Sequence, residues 1–232
     1  MIYFNGRALE SVAPVKIEDI RVSPIIQAPV ARDRPIRGGA AFIRQHDGIR
    51  TVNITFAILE QDYDKRQRYI EAVTMWALQA EEPAAMNLPY HRNRTLYVVC
   101  TGLPEPSARQ WWESRLNLTF TAYDPYFYDI TEKSAECGVP FYVGGNAAPK
   151  MRIEKTMSAS GNLTYSDGTN TMQFTGVAAG NVVIDLTKQT AQEGGLSIMD
   201  KFALTSRFIV PHTGYITITG TGIVRWREAW KA

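Results

Sequence analysis

The protein has 232 residues, of which 45% are hydrophobic and 21% are charged, and its net charge is +2. This length suits one large or two small domains with real hydrophobic cores, and a charge so near zero does not favour a nucleic-acid or membrane surface. The longest apolar runs, such as 208–210, are too short to cross a bilayer. Residues 1–7 lack the basic and apolar regions of a signal peptide. Only two cysteines, Cys100 and Cys137, are present, which favours folding in a reducing compartment over a disulfide scaffold.

Strands dominate the first half of the chain. Every second residue is apolar in two stretches, 51–58 and 115–123, and this period predicts half-buried strands. Residues 96–100 predict a third strand, and 15–17 and 20–22 predict two shorter ones.

A basic segment follows the first predicted strands. It spans 32–50, is punctuated by proline and glycine, and carries five arginines, Arg32, Arg34, Arg37, Arg44 and Arg50. We interpret it as a long, solvent-facing loop or hairpin. A long segment that projects from a compact domain is either an interaction element or a solvated hairpin with no partner.

One helix is predicted over 63–79. Asp62 or Asp64 can accept hydrogen bonds from the free backbone N–H groups at its start. Apolar residues recur at intervals of three and four, and Pro83 ends the helix. The members of this apolar face are Tyr69, Ile70, Val73, Trp76 and Ala77.

The second half of the chain begins with a cluster of glycine and proline between 138 and 149. We place the domain boundary there, with a first domain of 1–140 and a second of 141–232. Short strand patterns at the spacing of a β-sandwich follow: 151–153, 162–165, 171–174, 182–186, 207–210, 215–219 and 224–227. Ser166-Asp167-Gly168 predicts a hairpin turn.

No catalytic constellation is visible. The histidines, His46, His91 and His212, have no metal-ligand spacing around them, and no nucleophile or phosphate-loop motif occurs. We therefore expect no enzyme, no cofactor and no metal. Asn53 and Asn117 belong to glycosylation sequons but lie in predicted strands, so we interpret them as strand residues. Trp111-Trp112 is either partly buried or an interface anchor.

The order of these elements resembles the distal tail protein family of siphophages. The matching stretches are 4–6, the loop at 34–39, 76–78, 96–102, 116–128 with Asp124-Pro125-Tyr126 near its end, and 223–230 with its arginine-aromatic strand. They run over essentially the whole chain, and their order and spacing carry the resemblance.

The resemblance implies a mainly β fold. The first domain should be a split β-barrel or sandwich with one helix, similar to tail-tube proteins, and the second a galectin-like β-sandwich, joined at Asp124, Pro125 and Tyr126.

It also implies a structural role in the virion. The first domains should form a homohexameric ring that connects the tail tube to the tail-tip hub and its tail-associated lysin, and to receptor-binding or baseplate proteins. DNA would pass through the ring without sequence-specific binding, and assembly would take place in the host cytoplasm. Arg32, Arg34, Arg37, Arg44, Trp111 and Trp112 are the candidate interface residues.

A second function stays open from the sequence: a carbohydrate-binding accessory module that recognises host surface glycans through the second domain. A galectin-like fold alone does not carry this function. The segment His91-Arg92-Asn93-Arg94 is faintly similar to a galectin sugar-binding element, but it lies in the first domain.

Overall fold

The computed structural model of the protein describes residues 1–33, 40–109 and 113–231, with side chains described outside 27–46 and 105–109. In this part the chain forms two compact units, Met1–Phe127 and Tyr128–Lys231. The first contains β1 (Tyr3–Phe4), β2 (Arg7–Ala8), β3 (Val15–Val22), β4 (Gln27–Asp33), β5 (Ala40–Asp47), β6 (Arg50–Leu59), α1 (Tyr63–Ala77), β7 (Ala84–Asn87), β8 (Arg94–Arg109) and β9 (Glu113–Ala122). β10 (Phe127–Asp129) begins at its last residue.

The second unit contains β11 (Lys133–Glu136), β12 (Phe141–Val143), β13 (Ala147–Met157), β14 (Gly161–Ser166), β15 (Thr171–Val177), β16 (Gly180–Asp185), β17 (Thr190–Glu193), β18 (Leu196–Ser197), β19 (Gly214–Ile216) and β20 (Ile223–Trp230). The prediction of a mainly β chain is confirmed.

The sheet of the first unit is antiparallel, with the strand order β3-β6-β9-β8-β7-β1-β2. Its central strands β6 and β9 pair without a break from Arg50↔Ala122 to Leu59↔Glu113. The predicted strands at 51–58, 115–123 and 96–100 are therefore confirmed. The two short strands expected at 15–17 and 20–22 are instead one strand, β3, with an irregularity between Ile17 and Asp19.

One face of this sheet is the core of the first unit. Its apolar residues alternate along β6 and β9 and are fully buried: Val52, Ile54, Phe56, Leu116, Leu118 and Phe120. Helix α1 contributes Trp76, whose ring lies 5.7 Å from that of Phe4 and 6.1 Å from that of Phe120. Edge-to-face packing of this kind stabilises a core beyond the area that it buries.

Helix α1 begins where the sequence predicts. Asp62 is the cap, because its Oδ1 accepts hydrogen bonds from the backbone N–H groups of Asp64 at 2.9 Å and Lys65 at 3.1 Å. The helix ends at Ala77, two residues before the predicted end. Val73 and Trp76 of the predicted apolar face are buried.

The second unit has an antiparallel sheet in the order β18-β17-β16-β13-β20-β11, a separate strand pair, β12–β19, and a hairpin, β14–β15. All contribute to one core. Ile153 and Val224 come from the sheet, and Leu163 and Phe174 come from the β14–β15 hairpin. The predicted turn is confirmed, since Asp167 Oδ1 accepts from the N–H of Asn170 at 2.6 Å.

Two strand predictions in this unit need correction. Residues 207–210 form no strand: Ile209 is buried, but backbone bonds are made singly, such as Arg207 N–H to Thr171 O at 2.9 Å. Pro211 follows and has no N–H to extend a ladder. The strand predicted at 215–219 is shorter and forms β19, Gly214–Ile216.

The compact units divide between Phe127 and Tyr128, earlier than the boundary at 140 expected from the glycine and proline cluster. The reason is long-range pairing. Strand β11 pairs with β20, from Lys133↔Trp226 to Glu136↔Ile223, so residues 128–140 belong to the second unit.

Candidate assembly site

The sequence predicts a loop or a hairpin for the basic segment, and the described residues form a hairpin. Strands β4 and β5 pair from Gln27↔Asp47 to Asp33↔Ala40, and in the described part of the chain they pair with no other strand. We call residues 27–46 the arm. Its outer backbone edges are therefore open to pairing with a further strand.

The arm lies between the paired strands β3 and β6 in the sequence. Ser23 N–H bonds to Thr51 O at 2.9 Å, Ile26 N–H to Ile49 O at 3.0 Å, and Gly48 N–H to Ile26 O at 2.8 Å. We call residues 23–26 and 47–51 the arm root. These bonds attach the arm to the first unit at its root, although residues 23–26 and 48–49 belong to no strand and β4 and β5 form a sheet of their own.

The predicted interface residues are placed only in part. Arg32 lies in β4 opposite Ala41, and Arg44 lies in β5 opposite Val30. Both residues therefore lie in the paired strands of the arm. Four others lie outside the described residues: Arg34, Arg37, Trp111 and Trp112. The role assigned to all six stays a prediction.

Arg50 is buried, unlike the solvent-facing arginines that the sequence predicts for the basic segment. It is the first residue of β6 and only 3% of it is exposed. Its guanidinium carbon lies 5.0 Å from the centre of the Phe127 ring, a cation–π contact. Burial lowers the pKa of Arg50. Its role is therefore to pack the end of the sheet.

The predicted joint is bonded to the arm root. The hydroxyl of Tyr126 donates to Asp47 Oδ2 at 2.6 Å, and Asp47 is the last residue of β5. Burial, the bond to Asp47 and the charges of Asp47 and Asp124 raise the pKa of Tyr126 to about 12. The phenol is therefore protonated at neutral pH and acts as the donor.

His91 completes this region of the first unit. Its ring lies 4.4 Å from that of Phe127, tilted by 35°. Burial and then the charges of Arg94 and Arg50 lower the pKa of His91, which favours the neutral imidazole. We call Asp47, Arg50, His91, Tyr126 and Phe127 the exit cluster, since the chain leaves the first unit there.

Sequence reasoning found only part of the exit cluster. The Asp-Pro-Tyr motif marked Tyr126, but its partners lie far away in sequence, and tertiary contacts alone bring Asp47, Arg50 and His91 to it. The spacing of single residues gives no signal for such a set.

The arm root also exposes apolar side chains. Ile26 is 50% exposed and Ile49 is 38% exposed, and their backbones are bonded to each other. Tyr123, 65% exposed, follows Ala122, the partner of Arg50 in the ladder. Exposed apolar groups in one place are typical of a surface that a partner covers.

The second face of the first-unit sheet is polar. Thr55 Oγ1 donates to Asn117 Oδ1 at 2.9 Å, and Thr119 Oγ1 donates to Asn53 Oδ1 at 2.8 Å. The two asparagines are therefore ladder residues, as predicted. The Nε atom of Arg115 lies 3.3 Å from Oε1 of Glu18 and 3.4 Å from Oε1 of Glu113, which makes two ion pairs. We call this surface the polar face; the groups named here pair with one another, and Lys16 is a further exposed cation on it.

Within the ranges described, no group of three or more histidine, cysteine or acidic residues could hold a metal ion. No helix in the same ranges is long and apolar enough to span a membrane. Cys100 and Cys137 are both free thiols.

The fold of the chain is similar to that of a phage distal tail protein. The crystal structure of the SPP1 Dit (gp 19.1) protein, described as a paradigm of the hub adsorption apparatus in phages infecting Gram-positive bacteria, superposes with a TM-score of 0.74 at 16% identity and covers 98% of each chain. The resemblance inferred from the sequence is thus confirmed at the level of the fold.

Two structures of the phage P2 baseplate in its activated conformation are also similar. The form with Ca gives a TM-score of 0.54 and the form with Sr gives 0.55. Each is 8% identical and covers 96% of this chain and 92% of the other. No family model and no curated protein matches the chain.

Proposed function

We propose that this protein is the distal tail protein of a long-tailed phage and forms a hexameric ring at the tail tip. The ring connects the tail tube to the tail-tip hub and its tail-associated lysin, and to receptor-binding or baseplate proteins. The observation that carries this proposal is the shared fold with SPP1 Dit over 98% of both chains. The protein works through its interfaces and carries out no catalysis.

In this proposal the first domain is a tail-tube-like split barrel that forms the ring, and the second is a galectin-like β-sandwich that carries partner surfaces. The arm supports ring formation, because its open backbone edges can pair with a strand of a neighbouring copy. The same surface repeated head to tail gives heterologous contacts, which close into a ring when the rotation allows it. In this proposal Arg32, Arg34, Arg37 and Arg44 belong to the contact, and Trp111-Trp112, which lies between β8 and β9 in the sequence, anchors it.

The polar face supports the passage of DNA. Retention of a duplex requires cationic side chains that are free to neutralise phosphates. On the polar face the arginines are in ion pairs, Arg115 with Glu18 and Arg21 with Asp19, and its threonines and asparagines bond to one another. A channel lined by this face would let DNA slide without holding it.

The direct test of the ring contact reverses two charges on the arm. We expect the variant Arg34→Glu/Arg37→Glu to lose most of its hexamer while its thermal midpoint stays close to that of the wild type, because the arginines act between subunits. Sedimentation velocity at low and high salt measures the hexamer fraction.

The control variant Lys188→Glu/Arg207→Glu makes the same change in net charge at two exposed positions of the second unit. It should assemble like the wild type. A ring that survives the arm substitutions at every salt concentration would show that the arm arginines do not form the contact.

A further inference from the structure

An exposed pair of tyrosines stands on the second unit. In β12 and β19 the side chains alternate, so that Phe141, Val143 and Ile216 are buried in the core while Tyr142 and Tyr215 point outward. The tyrosines are direct cross-strand partners. They are 58% and 81% exposed, far beyond what packing of the unit requires.

The geometry of the pair suits a stacking platform. The ring centres are 5.2 Å apart and the planes are inclined by 60°, an edge-to-face contact that leaves more than half of each side chain open to solvent. The inward residues hold this arrangement in place: Phe141 stacks on Trp226 at 4.5 Å with an angle of 27°. A platform fixed by the core loses little side-chain entropy when a ligand binds.

The two segments that carry the pair, 139–144 and 213–219, contain no acidic or basic side chain but carry three threonines, Thr213, Thr217 and Thr219. The charged groups at the end of β12 neutralise each other, since the buried Glu228 accepts from the N–H of Gly144 at 2.9 Å and forms an ion pair with Lys133. A neutralised pair provides little recognition for an ionic ligand, which needs a charge of opposite sign. Hydroxyl groups beside aromatic rings are suited to a ligand that is itself neutral and rich in hydroxyls.

We propose that Tyr142 and Tyr215 bind a neutral oligosaccharide. A pyranose ring has an apolar face of C–H groups with partial positive charge, which packs against the negative face of an aromatic ring. Its rim of hydroxyls bonds to the tyrosine and threonine hydroxyls around the pair. Two rings 5.2 Å apart cover one or two sugar units, which matches a short stretch of a glycan chain.

This inference gives the second domain a binding role besides its structural one. It depends on β12, β19 and the core beneath them, all within the second unit, and is independent of ring assembly. If the chain formed no ring, the tyrosine pair could still bind sugar, and if it bound no sugar, the ring could still form.

Titration of the full chain with neutral trisaccharides tests the proposal, using maltotriose, cellotriose and a β-linked galactotriose as probes. Calorimetry gives the affinity, and the NMR signals of the tyrosine rings report the site. We expect saturable binding of at least one trisaccharide with Kd of about 1 mM. Tyr142→Ala and Tyr215→Ala should each weaken it about tenfold, as loss of one stacking contact implies.

Two further variants separate ring stacking from other effects. Tyr215→Phe keeps the ring and should retain most of the affinity, whereas Tyr90→Ala removes an equally exposed tyrosine of the first unit (80% exposed) and should change nothing. Absence of saturable binding by the wild type at about 10 mM of each trisaccharide would overturn the proposal. Binding that survives the double substitution Tyr142→Ala/Tyr215→Ala would do the same.

Discussion

Tyr126 and Asp47 are 79 residues apart in the sequence and share a hydrogen bond of 2.6 Å. This contact fixes the point where the chain leaves the first unit to the root of the arm. A charged acceptor makes the bond stronger than one between neutral groups. We infer that the bond keeps the arm root in the orientation that assembly requires.

Removal of the Tyr126 hydroxyl should measure this contribution. In Tyr126→Phe we expect the free energy of unfolding to fall by about 1 to 2 kcal/mol, because Asp47 loses a half-buried donor. Urea denaturation gives the value. Tyr123→Phe is the matched control, since Tyr123 is 65% exposed, and it should be neutral. Equal stability of wild type and Tyr126→Phe would show that the bond contributes nothing.

The same residue predicts a dependence on alkaline pH. The pKa of Tyr126 is raised from 10.0 to about 12 on folding, so its stabilising effect is complete below pH 10 and is lost as the pH rises through about 12. The unfolding free energy of the wild type should therefore fall more steeply over this window than that of Tyr126→Phe. Tyr165, whose pKa is also raised by burial, is present in both proteins, so its effect on the difference between the two curves cancels. Parallel curves would contradict the assignment.

Arg50 shows why single residues are hard to place from sequence. It follows a basic segment and shares its composition, but the register of β6 turns it toward the core side, where Phe127 covers it. A local pattern cannot reveal a partner 77 positions further along the chain.

At the scale of elements, the arm is the feature on which the proposed ring contact depends. It is attached to the β3–β6 strands by single backbone bonds at its root, and in the described residues no third strand pairs with it. Ile26 and Ile49 at its root are exposed in the single chain. Both observations agree with a surface that becomes buried on self-association.

Polar substitution at the arm root tests this surface. Ile26→Asn/Ile49→Asn should leave the thermal midpoint nearly unchanged, because both side chains are exposed, and should weaken self-association at least about tenfold through loss of apolar burial. Leu59→Asn/Leu78→Asn replaces two equally exposed leucines elsewhere in the first unit. An equal loss in both variants, measured by sedimentation, would contradict a specific role for the arm root.

Periodic patterns predicted the long elements well. Strands β6 and β9 and helix α1 have strong periods and clear caps, and each was located to within two residues. The apolar pattern at 207–210 predicts a strand, but its apolar residues cover the core without joining a ladder. The division of the compact units at Phe127 and Tyr128 gives no local signal for a related reason: β11 is assigned by its pairing with β20, some 90 positions away.

For the candidate site, sequence reasoning identified the arm and the Asp124-Pro125-Tyr126 joint. It could not show that the two are bonded through Asp47. It also missed the pair Tyr142 and Tyr215, because alternation within a three-residue strand gives too short a signal. Only pairing of β12 with β19 brings the two rings together.

At the scale of the whole molecule, the shared fold with SPP1 Dit extends over nearly every residue, although only 16% are identical. A likeness at this identity concerns the fold and does not extend to the surfaces. In the proposed function, the arm, the polar face and the tyrosine pair are the surfaces through which this protein assembles and binds.

The central claim is that this chain forms a closed ring of six copies. Mass photometry and negative-stain electron microscopy of the purified protein, over a wide concentration range, measure it directly. The account predicts a species of six times the 26.0 kDa mass of one chain and ring-shaped particles with sixfold symmetry. A strict monomer at the highest soluble concentration, with no rings on the grid, would contradict it.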